Sequence, residues 1–464
     1  MLISGWLTPI TQLREEVIQS EYEGYPVPER VKEEVAALHD GYDAFNEPKI
    51  LELLEKLRSL PKDPAFKYVQ PNDLAGIKSE RPPGPRQLNM RLSESALLDK
   101  YHGAWTGRAC GCALGKPVEG LGQAGLPQKQ LNGRRAIRHY LENRGDWPLK
   151  DYFSGKETGD GIKLGSPNSW RENIAFMEPD DDIHYSLIGL KVLEESGSDF
   201  DWHHVAKAWN SSLPYSAICT AETQAILNYN IKTPRLTGNY VSTTPQFTRR
   251  HNNPYREWIG AQIRADGWAY ACAGNPELAA EFAWRDAHWS HTANGIYGEM
   301  FCAAMIAAAF VESDPKKIVQ IGLSEIPKNC RLAEAVREAL QWISKSPTFE
   351  SFMEKLENKF NGMSAIHSVN NALIVVMSLF YGKMNPDRSI CISVTGGLDT
   401  DCNGATTGSI VGAVTGRKRF GGKLAPRLND TIKPLVFGFQ ETTMRELAER
   451  TLKVHKTVCP TCQP

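Results

Sequence analysis

The sequence predicts an all-α protein, a compact multi-helix bundle with a helical N-terminal extension. Apolar and small residues recur at i, i+3 and i+4 through most of the chain, the spacing of one helix face. Alternating stretches of the kind half-buried strands need are scarce. The length of 464 residues exceeds one minimal core, and at roughly 100–200 residues per domain it divides into two or three units.

Residues 1–92 are charged and broken by prolines, with amphipathic stretches such as 50–57. Their texture predicts a helical appendage that caps the downstream domain and restricts access to it. Arg81-Pro82-Pro83-Gly84-Pro85-Arg86 cannot continue a helix and reads as a linker. Residues 93–464 form the expected catalytic domain, with helices over 93–114, 183–195, 276–284, 295–311, 331–343, 371–380 and 404–413. Small residues at i, i+4 in these segments let helices approach closely. The longest non-helical stretch, 232–255, has the length of a functional loop. A short strand is expected at 435–439 and a last helix at 444–454.

The charge balance of 53 basic and 54 acidic residues argues against a nucleic-acid binder acting through a broad basic surface. The most apolar run, 300–311, falls short of the roughly 20 residues of a membrane span and reads as a core helix. The first residues carry no basic leader or cleavage site. Ten scattered cysteines are too few for a disulfide framework. A cytoplasmic protein with no membrane partner is expected.

Chemistry concentrates in three segments. In the first, Asp180-Asp181-Asp182 precedes a helical pattern. Acidic residues complement a helix start, so a capping cluster is one reading. Three carboxylates in succession repel one another, with no basic residue in the segment to offset them, and the other reading is a site for a hard divalent cation. In the second, Gly396-Gly397-Leu398-Asp399-Thr400-Asp401-Cys402 opens another small-residue run. Asp399 and Asp401, two apart, can point at one ion, or the loop is an Asx-type cap. In the third, a Gly-rich helix ends at Gly115-Lys116-Pro117 and delivers Glu119, a site acid or a solvated one. No strand and no Gly-x-x-x-x-Gly-Lys-Ser/Thr pattern supports a phosphate loop there.

Together and in this order, the three segments resemble the ADP-ribosylglycohydrolase family, which includes the dinitrogenase-reductase-activating glycohydrolases and the ADP-ribosylarginine hydrolases. Ser290-His291, with Gly295 and an Ala-rich run behind it, fits a fourth piece of the pattern. The likeness spans about 93–450. It implies an all-α fold around two divalent ions, Mg²⁺ or Mn²⁺. By position it implies Asp181, Asp182, Asp399 and Asp401 as ligands, with Asp180 and Cys402 standing where the family has Ser or Thr. Asp180 keeps an oxygen and adds charge; Cys402 replaces a hard donor with a soft one, favouring Mn²⁺ or a thiophilic ion, or dropping a ligand. Leu398 is an insertion after the glycine pair. Glu119, Asp181 and Asp401 are the implied catalytic carboxylates, and Gly115, Arg264 and His291 the implied substrate-binding residues.

The implied reaction cleaves a glycosidic bond to ribose in an ADP-ribosyl or simpler ribosyl small molecule, free or on a protein. Such bonds break through an oxocarbenium-like state, for which a carboxylate must relay a proton. Two alternatives stay open: an N-ribosidase of a nucleoside-like metabolite, and a non-catalytic ADP-ribose-binding or structural family member. An Arg/Lys pair near the acids would favour ADP-ribose; a closed aromatic slot would favour a nucleoside. His288 and His291, three apart on an expected helix face, lack the third ligand of a zinc site. Cys459-Pro460-Thr461-Cys462 reads as an exposed tail.

Overall fold

The computed structural model describes residues 4–39, 46–232 and 243–459. Helices make up nearly all of their regular structure. The sheet among them is a pair of two-residue strands, Thr431–Ile432 antiparallel to Thr442–Thr443.

Two antiparallel helices, Glu94–Gly115 and Thr400–Thr415, form the spine. Gly103, Gly107 and Gly111 lie on one face because they are four residues apart. They meet Gly412, Gly408 and Gly404 in reverse order. A Cβ on Gly107 would sit 1.9 Å from the Gly408 carbonyl oxygen, and one on Gly111 1.9 Å from that of Gly404. No other residue fits, so the two backbones touch. The same alignment sets Gly115, at the end of the first helix, against Thr400, at the start of the second. The Thr400 hydroxyl donates to the Gly115 carbonyl at 2.8 Å.

Around the spine, Ala293–Ala309 is buried at every position and Ser368–Tyr381 at all but its last two, as their nearly uniform apolar character dictates. No described helix is long and apolar enough to cross a membrane.

Residues 4–80 include four helices, Pro9–Tyr22, Glu29–Ala36, Glu47–Arg58 and Leu74–Glu80. The first three share a small core of Ile10, Leu13, Val31, Ile50, Leu53 and Leu57. A buried ion cluster docks this unit: Arg256 donates to Glu16 at 2.8 Å and to Glu23 at 2.9 Å. Downstream, the proline-rich segment carries no helix and lies along the bundle, its Arg81 paired with Glu277 at 2.9 Å and with Glu325.

Four expectations change. Residues 435–439 form no strand; their backbone is taken by other partners, the Leu435 amide by His184 Nε2 at 3.0 Å and the Phe437 amide by the Ser212 carbonyl at 2.8 Å. The stretch 232–255 contains the helix Pro245–Arg250, capped by Thr244, while its residues 233–242 lie outside the described ones. His288 closes the helix Pro276–Ala287 and His291 lies beyond it, so the two share no helix face. Cys459 is buried at the end of Met444–Val458, and the rest of the C-terminal CxxC pair lies outside the described residues.

Candidate active site and metal centre

Three helix ends converge on a cleft of about 600 Å³. The first is the turn after Gly115, where Pro117 interrupts the α-helix and a short 3₁₀ segment, Lys116–Val118, leads to Glu119. The second is the start of Asp181–Ser196, capped by Asp180, whose Oδ1 accepts from the Asp182 amide at 3.0 Å. The third is the start of Thr400–Thr415, with Asp399 at the N-cap position but making no side-chain capping bond. Gly397 and Leu398 ahead of it have φ of +76° and +59°. A left-handed leucine is strained, and such strain gathers at functional loops.

Glu119, Asp180, Asp181, Asp399, Asp401 and Cys402 all line the cleft. Asp182 lies fully buried behind it, and the Cys402 thiol donates to its Oδ2 at 3.2 Å, tying the two Asp turns together. Two of the carboxylates have cationic partners. Lys116 Nζ lies 2.8 Å from Asp180 Oδ2. The buried Arg108 guanidinium donates to the Asp182 carbonyl at 2.9 Å and lies 3.3 Å from its Oδ1.

Among the described residues the others have none. Asp399 Oδ1 and Asp401 Oδ1 are buried without a hydrogen-bond partner. The charge of Asp401, then burial, pushes the Glu119 carboxyl up to about 9. Burial, then Asp180 and Asp401, pushes Asp181 up to about 8. Burial, then Asp180, pushes Asp401 up to about 6. In each, burial and the neighbouring carboxylates disfavour the charged form.

Ligand atoms of Asp399, Asp401 and Cys402 lie within 4.8 Å of one another, as do those of Cys112, Asp180 and Asp182. The second trio is already neutralised by Lys116 and Arg108. The first is not, and its unpartnered hard oxygens fit a divalent cation. Burial holds the Cys402 thiol well above its ordinary pKa, so without a cation it remains a neutral donor.

Gly115 lies outside the lining, and a Cβ there would sit 2.3 Å from the Thr400 backbone; its part is close packing. Arg264 and His291 also lie outside it, both fully buried. Arg264 pairs with Asp286 at 2.8 Å and with Glu222, and His291 Nε2 is 3.8 Å from Glu222 Oε1. Both reach the cleft through Glu222, whose carboxylate lines it. Gly260 leaves room for that carboxylate, since a Cβ there would lie 2.3 Å from Glu222 Oε1.

Several site residues escaped sequence reasoning. Glu222, Trp258 and Trp6 belong to no acidic run or glycine turn. Asn371, whose Oδ1 accepts from the Asp399 amide at 3.1 Å and from Asn403 at 2.7 Å, orients the third turn from within an apolar helix.

A family model described as ADP-ribosylglycohydrolase matches residues 93–461. A solved structure, an "ADP-ribosylglycohydrolase-related protein complex", resembles the chain with a TM-score of 0.50 and 17% identity over 78% of this chain and 99% of that one. At that identity the likeness concerns the fold. No curated protein matches the chain.

Proposed function

The chain belongs to the ADP-ribosylglycohydrolase family, and we propose that it is a metal-dependent hydrolase that cleaves a glycosidic bond to ribose in an ADP-ribosyl compound or related ribosyl metabolite. Asp181, Asp399 and Asp401 would hold two divalent cations, Mg²⁺ or Mn²⁺. Such cations supply a Lewis acid to sugar hydroxyls and to water. Asp180 and Asp182, paired with Lys116 and Arg108, fix the start of their helix. Cys402 holds Asp182 in place.

Glu119 is the proton carrier in this reading. Gln123 Nε2 donates to its Oε1 at 2.9 Å, which orients the carboxyl and leaves Oε2 for substrate. A positioned acid or base of this kind is worth roughly 10²–10⁴ in rate. Arg264 and His291 act as positioning residues that fix Glu222 at the wall. The buried, unbridged thiols of Cys110, Cys112, Cys391 and Cys402 suit a reducing compartment such as the cytosol.

One observation carries the reading: carboxylates from three distant points of the chain share one cleft, two of them with buried, unpartnered oxygens. The test is incubation with ADP-ribosyl-arginine, O-acetyl-ADP-ribose and a panel of ribosides, with and without Mn²⁺, reading products by mass. Release of a free ribosyl product that chelator abolishes is expected. Absence of product from every substrate, together with no Mn²⁺ heat in titration calorimetry, would overturn it.

A second reading, an N-ribosidase of a nucleoside-like compound, draws on the lining. Lys116 is the one Lys or Arg among the described residues of the cleft, and Asp180 already engages it. A diphosphate finds no guanidinium there.

A further inference from the structure

The N-terminal unit reaches the cleft. Trp6 and Leu7 line it together with Trp258, Ile259, Ile263 and Ile366. Trp6 packs against a small cluster of Ala221, Tyr255 and Trp258. The segment is stapled down by its backbone. The Gly5 amide donates to Gln224 Oε1 at 2.7 Å, and the Tyr255 hydroxyl to the Trp6 carbonyl at 3.0 Å. A Cβ on Gly5 would lie 2.8 Å from the Gln224 backbone, so only glycine permits this approach. Leu7 is left-handed at φ +57° and 55% exposed, a large apolar side chain with little cover, presented to the cleft at a strained position. Burial alone does not explain an exposed leucine held in that conformation; ligand clamps are where such strain is kept.

We propose that Trp6 and Leu7 form the wall that seats the aglycone of the ribosyl substrate, a flat, uncharged aromatic heterocycle of the nucleobase type. The inference rests on the second reading of the proposed function, a nucleoside-like substrate with its ribose among the carboxylates. The chemistry of the wall selects the aglycone. An indole face stacks on a planar ring whatever its hydrogen-bonding pattern. An acidic cleft whose one Lys or Arg among the described residues is already paired disfavours an anionic group. The unit outside the matched family region thereby sets which ribosyl compounds fit.

The test is calorimetric titration of the full chain, in Mn²⁺, with adenosine and with D-ribose. Wild type should bind adenosine more tightly than ribose. Trp6→Ala should weaken adenosine roughly tenfold, as loss of one stacking partner does, while ribose is unchanged and Trp6→Phe recovers most of the loss. Leu7→Asn, which suits the left-handed backbone and so spares the fold, should weaken adenosine severalfold. Adenosine bound no better than ribose by wild type, or unaffected by both Trp6→Ala and Leu7→Asn, overturns the wall. So does an equal loss for both ligands in Trp6→Ala. Trp6-dependent adenosine binding by a protein that cleaves no riboside keeps the wall and rejects the hydrolase.

Discussion

Two groups of carboxylates lie side by side in this molecule and are treated in opposite ways. At the cleft wall and behind it, Glu222, Asp286 and Glu299 gather around Arg264, and Asp182 and Asp266 around Arg108. At the cleft, Glu119, Asp181, Asp399 and Asp401 have no such guanidinium. Residue type is alike and burial is less complete at the cleft, where Glu119 and Asp181 are half-buried; the source of the counter-charge differs. An internal arginine makes a carboxylate part of the scaffold, whereas leaving it to an outside cation makes it part of a site.

The difference can be broken most violently from the scaffold side. Arg264→Leu strands Glu222, Asp286 and Glu299 without their cation, and loss of one member of such a buried group costs about 3–5 kcal/mol. Failure to fold, or a large fall in the midpoint of chemical denaturation, is expected. A midpoint near wild type would mean that these acids are already neutral.

Asp399→Asn should do the reverse. It relieves like-charge repulsion, so the metal-free protein should be at least as stable as wild type. Activity should fall by more than the roughly 10–100-fold that an outer partner of a metal ligand costs, and Mn²⁺ should no longer raise the melting temperature. Unchanged stabilisation by Mn²⁺ would remove Asp399 from the metal centre.

Solution pH tests the cleft acids directly. Their folded pKa values, about 9 for Glu119 and about 8 for Asp181, lie above those of the unfolded chain. The folded state therefore binds more protons between the two values, and stability falls as pH rises. That contribution is complete below about pH 4, near the unfolded values, and is lost as pH climbs through 8 to 9. Thermal melts of metal-free protein from pH 5 to 9 should show a steady decline that saturating Mn²⁺ flattens. A flat metal-free profile would show that the cleft acids are already compensated.

The mildest change moves one carboxylate from the first class to the second. Lys116→Met frees Asp180 and adds uncompensated charge beside Asp401. Mn²⁺ should bind severalfold more tightly by calorimetry. Weaker binding would instead make Lys116 a necessary clamp on Asp180.

How much of the fold and site is legible in the sequence depends on range. Helices 94–115 and 400–415 are readable because small residues at i, i+4 announce a close-packed face within each segment. The Asp180–Asp182 and Asp399–Asp401 turns are readable because carboxylates crowd within a few residues. What neutralises them is not. The absence of a basic neighbour around Asp180 holds only along the chain; Lys116 and Arg108 arrive from 64 and 74 residues away. The apolar run at 435–439 resembles a strand because side chains reveal nothing of which backbone partners are at hand. Trp6 at the cleft wall requires the docking of a separate unit through Arg256, Glu16 and Glu23, which no local pattern encodes.

The glycine contact between the two spine helices has a further consequence. Where most helices are spaced by side chains that swap rotamers and yield, these two are spaced by carbonyl against alpha carbon, a stop with almost no give. The ends of the two helices, next to which Glu119 and Asp399 lie, are thus registered by backbone against backbone.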